Sequence, residues 1–301
     1  MEGLKMLGEE FIVNVFLPTL LDGLVNGAAL GLVALGLSVI FGITGVINFA
    51  HGDLYMLASY FGVIMLFMVI PNFLMAAVVA VAALAVLGLG VERAILRPLY
   101  GRGPVHVLVA TFGLALFLRE FIRTIWGAEP IMIAPPIPGH IIFGPLHYPI
   151  YRVIVLIAAM ALYLFLWYFF NRTTHGAIIR AAAENKQMLS CVGVDVQKVY
   201  TFTFVLAMVL AAAGGMITLP LASLSPEVGA ILILMCFYII VIGGMGSIGG
   251  TVITAFIIGE AIALGSIWLG PREMEIFIFL IMIIVLALRP RGLFGKPLLL
   301  E

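Results

Sequence analysis

From residue 11 onward the chain runs in long apolar stretches broken by short polar segments, without the period-two alternation of membrane strands. Residues 54–91 carry no charge. As one helix they would extend about 57 Å, against about 30 Å of hydrocarbon, so they predict two crossings. Pro71 and Asn72 supply the turn, because proline lacks an N–H and restricts the residue before it. The same arithmetic predicts spans near 11–40, 54–70, 73–91, 105–125, 150–170, 199–222, 228–243, 251–269 and 274–289. The expectation is an all-α, polytopic transmembrane bundle of eight or nine spans, some broken or re-entrant. A single transmembrane domain covers 1–301, since its longest polar segment, 171–198, is too short to fold alone.

Composition agrees: 64% of residues are hydrophobic and 10% charged, against about 25% charged in soluble domains. Fifteen basic residues balance fifteen acidic ones, which offers nothing to nucleic acid. The placement of charge is more telling. Arg93, Arg97 and Arg102 form one cationic loop, Arg172, Arg180, Lys186 and Lys198 a second, and Arg289, Arg291 and Lys296 a third. All three belong in the cytoplasm by the positive-inside rule, with even numbers of spans between them and the N-terminus outside. The first apolar run, after Glu9 and Glu10, is too long for a cleaved signal and is expected to stay. The loop from Trp126 to Pro149 holds six of the fifteen prolines and reads as an ordered external cap.

Three constellations interrupt the apolar pattern. Asn48, His51 and Asp53 bring an amide, an imidazole and a carboxylate to membrane depth, where such groups mark a pathway or cap a helix break. Gly243–Gly250 holds five glycines in eight residues, including Gly244 and Gly246, and reads either as a helix break beside a translocation path or as close backbone packing. Glu260 interrupts a later run and is a candidate for a buried hydrogen bond or the solute route. Between them, residues 174–193 predict a short amphipathic helix, capped by Thr173 or Thr174 and ended by Gly193. It suits either a membrane interface or a groove in a partner. Arg119, Glu120 and Arg123 lie within one turn, where pairing along their own helix is the simplest account.

No nucleophile accompanies His51 and Asp53, and no metal-ligand cluster is evident, so an enzyme is not expected; neither is a cofactor or a metal. The sole Gly-Lys pair, Gly295-Lys296, precedes a proline and builds no phosphate loop. Any ATP used would be hydrolysed by another subunit.

Asn26-Gly27, the run Gly42 to Asp53 with Asn-Phe-Ala-His-Gly, Arg180-Ala-Ala-Ala-Glu-Asn185 with Gly193, and Gly243–Gly250 together resemble the LivH-like permeases of bacterial branched-chain amino acid ABC transporters. The resemblance implies a multi-pass subunit of the cell membrane importing branched-chain or other hydrophobic amino acids. It also implies a second, homologous permease subunit, two cytoplasmic ATPase subunits and a periplasmic or extracellular solute-binding protein. On that reading Asn48, His51, Asp53, Gly244, Gly246 and Glu260 are translocation-path candidates. Arg180, Ala182, Ala183, Glu184 and Gly193 are ATPase-coupling candidates. Near relatives carry urea and other small solutes, and a self-sufficient carrier or channel is the competing class.

Overall fold

The computed structural model describes residues 11–143 and 146–295; Glu9, Glu10 and Lys296 lie outside the described residues. Along the chain come α1 (Leu17–Thr44, entered through a π-helical turn at Ile12–Phe16), α2 (His51–Ile64, continued through Val69) and α3 (Phe73–Val91, continued through Leu99). Then follow α4 (Pro104–Trp126), a hairpin of β1 (His140–Phe143) and β2 (Leu146–Pro149), and α5 (Ile150–Arg172). After them come the short helices α6 (Thr174–Glu184) and α7 (Lys186–Cys191), α8 (Val196–Thr218), α9 (Val228–Gly243), α10 (Ile248–Gly265) and α11 (Pro271–Leu288).

Every predicted span coincides with a helix, and among the described residues seven of the helices are long and apolar enough to cross a bilayer. The other two differ for physical reasons. α9 is apolar but only sixteen residues long, and α11 carries Arg272, Glu273 and Glu275 near its start. The turn between α2 and α3 falls at Pro71-Asn72, where the Asn72 side chain accepts the Met75 N–H at 3.1 Å and caps α3.

Glycine sets the centre of the bundle. Gly23, Gly27 and Gly31 recur every fourth residue on α1 and meet α10. A Cβ on Gly27 would lie 2.9 Å from the Ala255 carbonyl oxygen, so only a bare backbone permits this approach. Behind that contact, α1 packs on α5 and α8, and α9 packs on α1, α2 and α10. α4 stands at the periphery, touching mainly α2 and leaving Phe112, Leu116, Phe117 and Phe121 exposed.

The cationic loops gather at one end. Tyr100 and Tyr200 meet edge to face at 5.0 Å, joining the first loop to the second. Gly42, near the end of α1, abuts Gly246, and Gly244 abuts Gly295 of the third. At the opposite end the hairpin folds over the bundle, Tyr148 Oη donates to Asp22 Oδ1 at 2.8 Å, and Asp22 pairs with Arg152. The hairpin and an isolated bridge between Ile131 and Leu224 make the proline-rich loop an ordered structure and supply the strand found among the described residues.

The single helix expected over 174–193 is instead two. Thr173 Oγ1 accepts the Gly176 N–H at 3.1 Å and starts α6. Asn185 then leaves helical geometry and accepts the Met188 N–H at 2.9 Å, capping α7 in turn. An asparagine can satisfy orphan N–H groups in this way, which makes a break there nearly free.

Candidate functional site: a buried polar turn and its ion pair

Gly45, with φ at +69°, ends α1 in the left-handed conformation that suits glycine. The next residues climb back along α1 rather than leaving the bundle. His51, the first residue of α2, is fully buried and places Nε2 3.0 Å from the Val33 carbonyl oxygen. Val33 lies eleven residues before Thr44, about 16 Å along the helix axis, so α2 begins deep inside the bundle. The polar break therefore returns the chain into the bundle as non-helical backbone, and α2 runs on from there to the turn at Pro71-Asn72.

A carbonyl only accepts, so Nε2 carries the imidazole proton, and buried Nδ1 is left as an acceptor with no partner. Asn48 Oδ1 accepts the Ala50 N–H at 3.1 Å and fixes the turn, while its buried Nδ2 has no partner. Gly36 makes room for the ring, since a Cβ there would stand 3.0 Å from His51 Cε1 and 2.9 Å from the Ala207 carbonyl oxygen. In the sequence nothing distinguishes Gly36 from the other small residues of α1. If the import implied by the sequence resemblance holds, His51→Leu is expected to lower uptake several-fold with a stability loss of only about 1 kcal/mol, the worth of one buried hydrogen bond. Parallel transport and thermal-melting measurements check this; a loss of folding in proportion to uptake would make the residue purely structural.

Asp53 faces elsewhere. Its carboxylate, fully buried, takes Arg119 Nε at 3.3 Å and an Arg119 terminal nitrogen at 3.4 Å in a two-pronged pair between α2 and α4. His51 and Asp53 therefore have separate partners and do not form a His–Asp dyad. Sequence reasoning assigned Arg119 to its own helical turn; its partner lies 66 positions away, and only the backbone path of residues 45–50 brings the two together. Above this pair Arg123 joins Glu120 at 2.6 Å and Glu227 at 2.5 Å, tying α4 to the start of α9. Glu227 precedes its helix, and the Arg123 guanidinium holds its carboxyl below the usual range.

Gly229 lets α9 approach. A Cβ on it would meet Asp53 Oδ1 at 2.7 Å and the Asp53 backbone nitrogen at 2.9 Å. The other candidates lie apart from this turn. Gly244 and Gly246, with φ of +100° and +80°, form the turn between α9 and α10 at the basic end. There the N–H groups of Leu293 and Phe294 bond the Ile242 and Gly243 carbonyls at 2.8 and 3.2 Å. The glycine cluster thus breaks the helix and also packs backbone on backbone. Glu260, half-buried on α10, lies against Gly23 of α1, with Oε2 unpartnered.

In the polar segment, Arg180, Ala183, Glu184 and Gly193 are exposed. Ala182 is 3% exposed and sits with Ile179 in the cluster that includes Val39 and Ile43 of α1. It seats the segment on the bundle instead of facing outward. Gly193, at φ +84°, ends it, and Asp195 caps α8 by accepting the Gln197 and Lys198 N–H groups. Those bonds, with the Lys198 charge, hold the Asp195 carboxyl below its usual range.

Residues 19–287 match the family described as branched-chain amino acid transport system / permease component. The chain is 28% identical over 296 residues to the high-affinity branched-chain amino acid transport permease protein BraD of Pseudomonas aeruginosa, covering 94% of this chain and 96% of that one. It is 28% identical over 309 residues to LivH of Escherichia coli, covering 97% and 98%. It is 27% identical over 312 residues to a probable LivH of Methanocaldococcus jannaschii, covering 97% and 94%. No solved structure matches the chain.

Proposed function

This chain belongs to the branched-chain amino acid transport permease-component family, and from that premise we propose that it is one of two permease subunits of an ATP-driven importer of leucine, isoleucine, valine or similar hydrophobic amino acids. It is a multi-pass protein of the plasma membrane. The basic end faces the cytoplasm, and the nine helices cross with the N-terminus outside. Two ATPase subunits dock at the basic end, and a solute-binding protein delivers cargo to the end that carries the hairpin.

The observation that carries the reading is the polar turn at Asn48–Asp53 buried deep within an apolar bundle. Its unpartnered amide and imidazole atoms, and an ion pair that joins a peripheral helix to the centre, are costly in stability and are kept where a route must open. The cycle requires no covalent step in this chain. ATP binding and hydrolysis in the partners move the α6–α7 segment, and because Ala182 and Ile179 are packed on α1, its end and the 45–50 turn move with it. Access then alternates around a path bordered by Asn48, His51, Asp53, Gly244, Gly246 and Glu260.

Affinity purification of the tagged chain from its native membrane tests the assembly. Two ATPase subunits and a second permease should be recovered in fixed proportion. A monodisperse chain recovered alone, still binding or moving solute, would favour a self-sufficient carrier instead.

A further inference from the structure

α1 is the most enclosed of the spanning helices, and from Pro18 to Thr44 a single residue of it is exposed, Asn26. The Asn26 amide has no hydrogen-bond partner among the described residues. It lies about 27 Å along the helix axis from Thr44 and one turn inward from Asp22, which is committed to Arg152 and Tyr148 at the hairpin end. A polar group at that depth is costly against lipid, so what meets it is water or a polar guest. The exposed positions along the middle of α4, by contrast, are Phe112, Leu116 and Phe117. Three residues before Asn26 comes Gly23, and the Glu260 side chain of α10 lies over it: a Cβ on Gly23 would stand 2.7 Å from the Glu260 carboxyl carbon. Glu260 is only half-buried, its Oε2 has no partner, and no cation pairs with it among the described residues. Cβ atoms three positions apart on a helix are about 5–6 Å apart, which brings Asn26 Cβ and the Glu260 carboxyl carbon within about 8–9 Å of each other.

We propose that Asn26 and Glu260 together hold the head group of the travelling solute, the Glu260 carboxylate taking the ammonium of a free amino acid and the Asn26 amide taking its carboxylate. The inference rests on the import reading above and gives it a substrate contact. A free amino acid carries both charges on one carbon, and with a charge-assisted bond of about 2.8 Å at each end it bridges a gap of this size. The amide NH2 donates to a carboxylate without adding a second charge that would need a partner when the site is empty. Asn26, Leu30 and Val33 share one face of α1. Leu30 is half-buried at the rim of the main apolar core, and the Val33 carbonyl is the one that meets His51. A solute held by its head group at Asn26 therefore has an apolar wall for its side chain, and the buried polar turn lies next along its way inward.

The test uses the complete importer in proteoliposomes, with its binding protein and radiolabelled leucine. Asn26→Leu should lower uptake about tenfold, a loss of roughly 1.4 kcal/mol of solute binding, while the second permease still co-purifies. Asn26→Gln, which keeps the amide, should recover most of the uptake. Glu260→Gln, which keeps the shape and removes the charge, should lower uptake about as much as Asn26→Leu. Cys191 is exposed and Cys236 buried, so Asn26→Cys is made together with Cys191→Ser; it should react with a water-soluble thiol reagent added from outside, and leucine with its binding protein should slow that reaction. Equal losses from Asn26→Leu and Asn26→Gln, full uptake by Glu260→Gln, or labelling at position 26 that leucine does not slow would overturn the site and leave the import reading standing. So would loss of the second permease from the Asn26→Leu preparation, which would make the amide a contact between subunits. A wild-type complex that accumulates no leucine would remove both.

Discussion

Arg119→Leu will destabilise the protein by about 3–5 kcal/mol, because it strands the Asp53 carboxylate in a site with no access to water. Arg119 is itself only partly covered, so the reverse change, Asp53→Leu, leaves a cation that can swing to solvent and should cost less. The double variant Asp53→Leu, Arg119→Leu should recover most of the stability, since replacing a buried pair by apolar groups is often neutral. Uptake should not recover with it if the pair governs how α4 follows α2 during the cycle. Melting temperatures of the three variants in detergent, beside uptake in membranes, separate these effects. An Arg119→Leu protein as stable as the parent would show that the pair is not formed.

Gly229→Leu should abolish the folded protein. A Cβ alone meets the Asp53 backbone within 2.9 Å, and backbone cannot step aside as a flexible side chain can. The contact is reciprocal, as the Gly229 carbonyl occupies the space that a Cβ on Gly52 would need. Overpacking of a well-filled core ordinarily costs about 1–3 kcal/mol; with rigid backbone on both sides the cost here lies at or above the top of that range. Expression followed by size-exclusion chromatography reads the result. Gly90→Leu, where nothing lies within 4 Å, is the matched control and should be tolerated.

Much of the architecture is legible because a bilayer restricts the options. An uncharged stretch of known length must cross, Pro71-Asn72 must turn, and Thr173 announces a helix start, all from local chemistry. The break at Asn185 was available to the same logic, since an asparagine three residues before Met188 is an N-cap signal, but the alanine-rich run before it favours continuing the helix. The hairpin escaped because six prolines say that a segment is stiff without saying that its ends pair. The partnership of Asp53 with Arg119 and the vacancy at Gly229 depend on elements far apart in the chain. A fourfold-spaced row such as Gly23, Gly27 and Gly31 does signal close packing, but not that its neighbour is α10. The unusual residues at 48–53 identify the site; the positions that hold it in place are ordinary glycines and one arginine on another helix.

The central claim is that this bundle moves solute only when driven by subunits docked at its basic end. The direct measurement is radiolabelled leucine uptake into proteoliposomes containing the purified chain, first alone and then with its second permease, ATPases and binding protein. The account predicts no accumulation by the chain alone and ATP-dependent accumulation by the full set. Concentrative uptake by the single chain without ATP would contradict it.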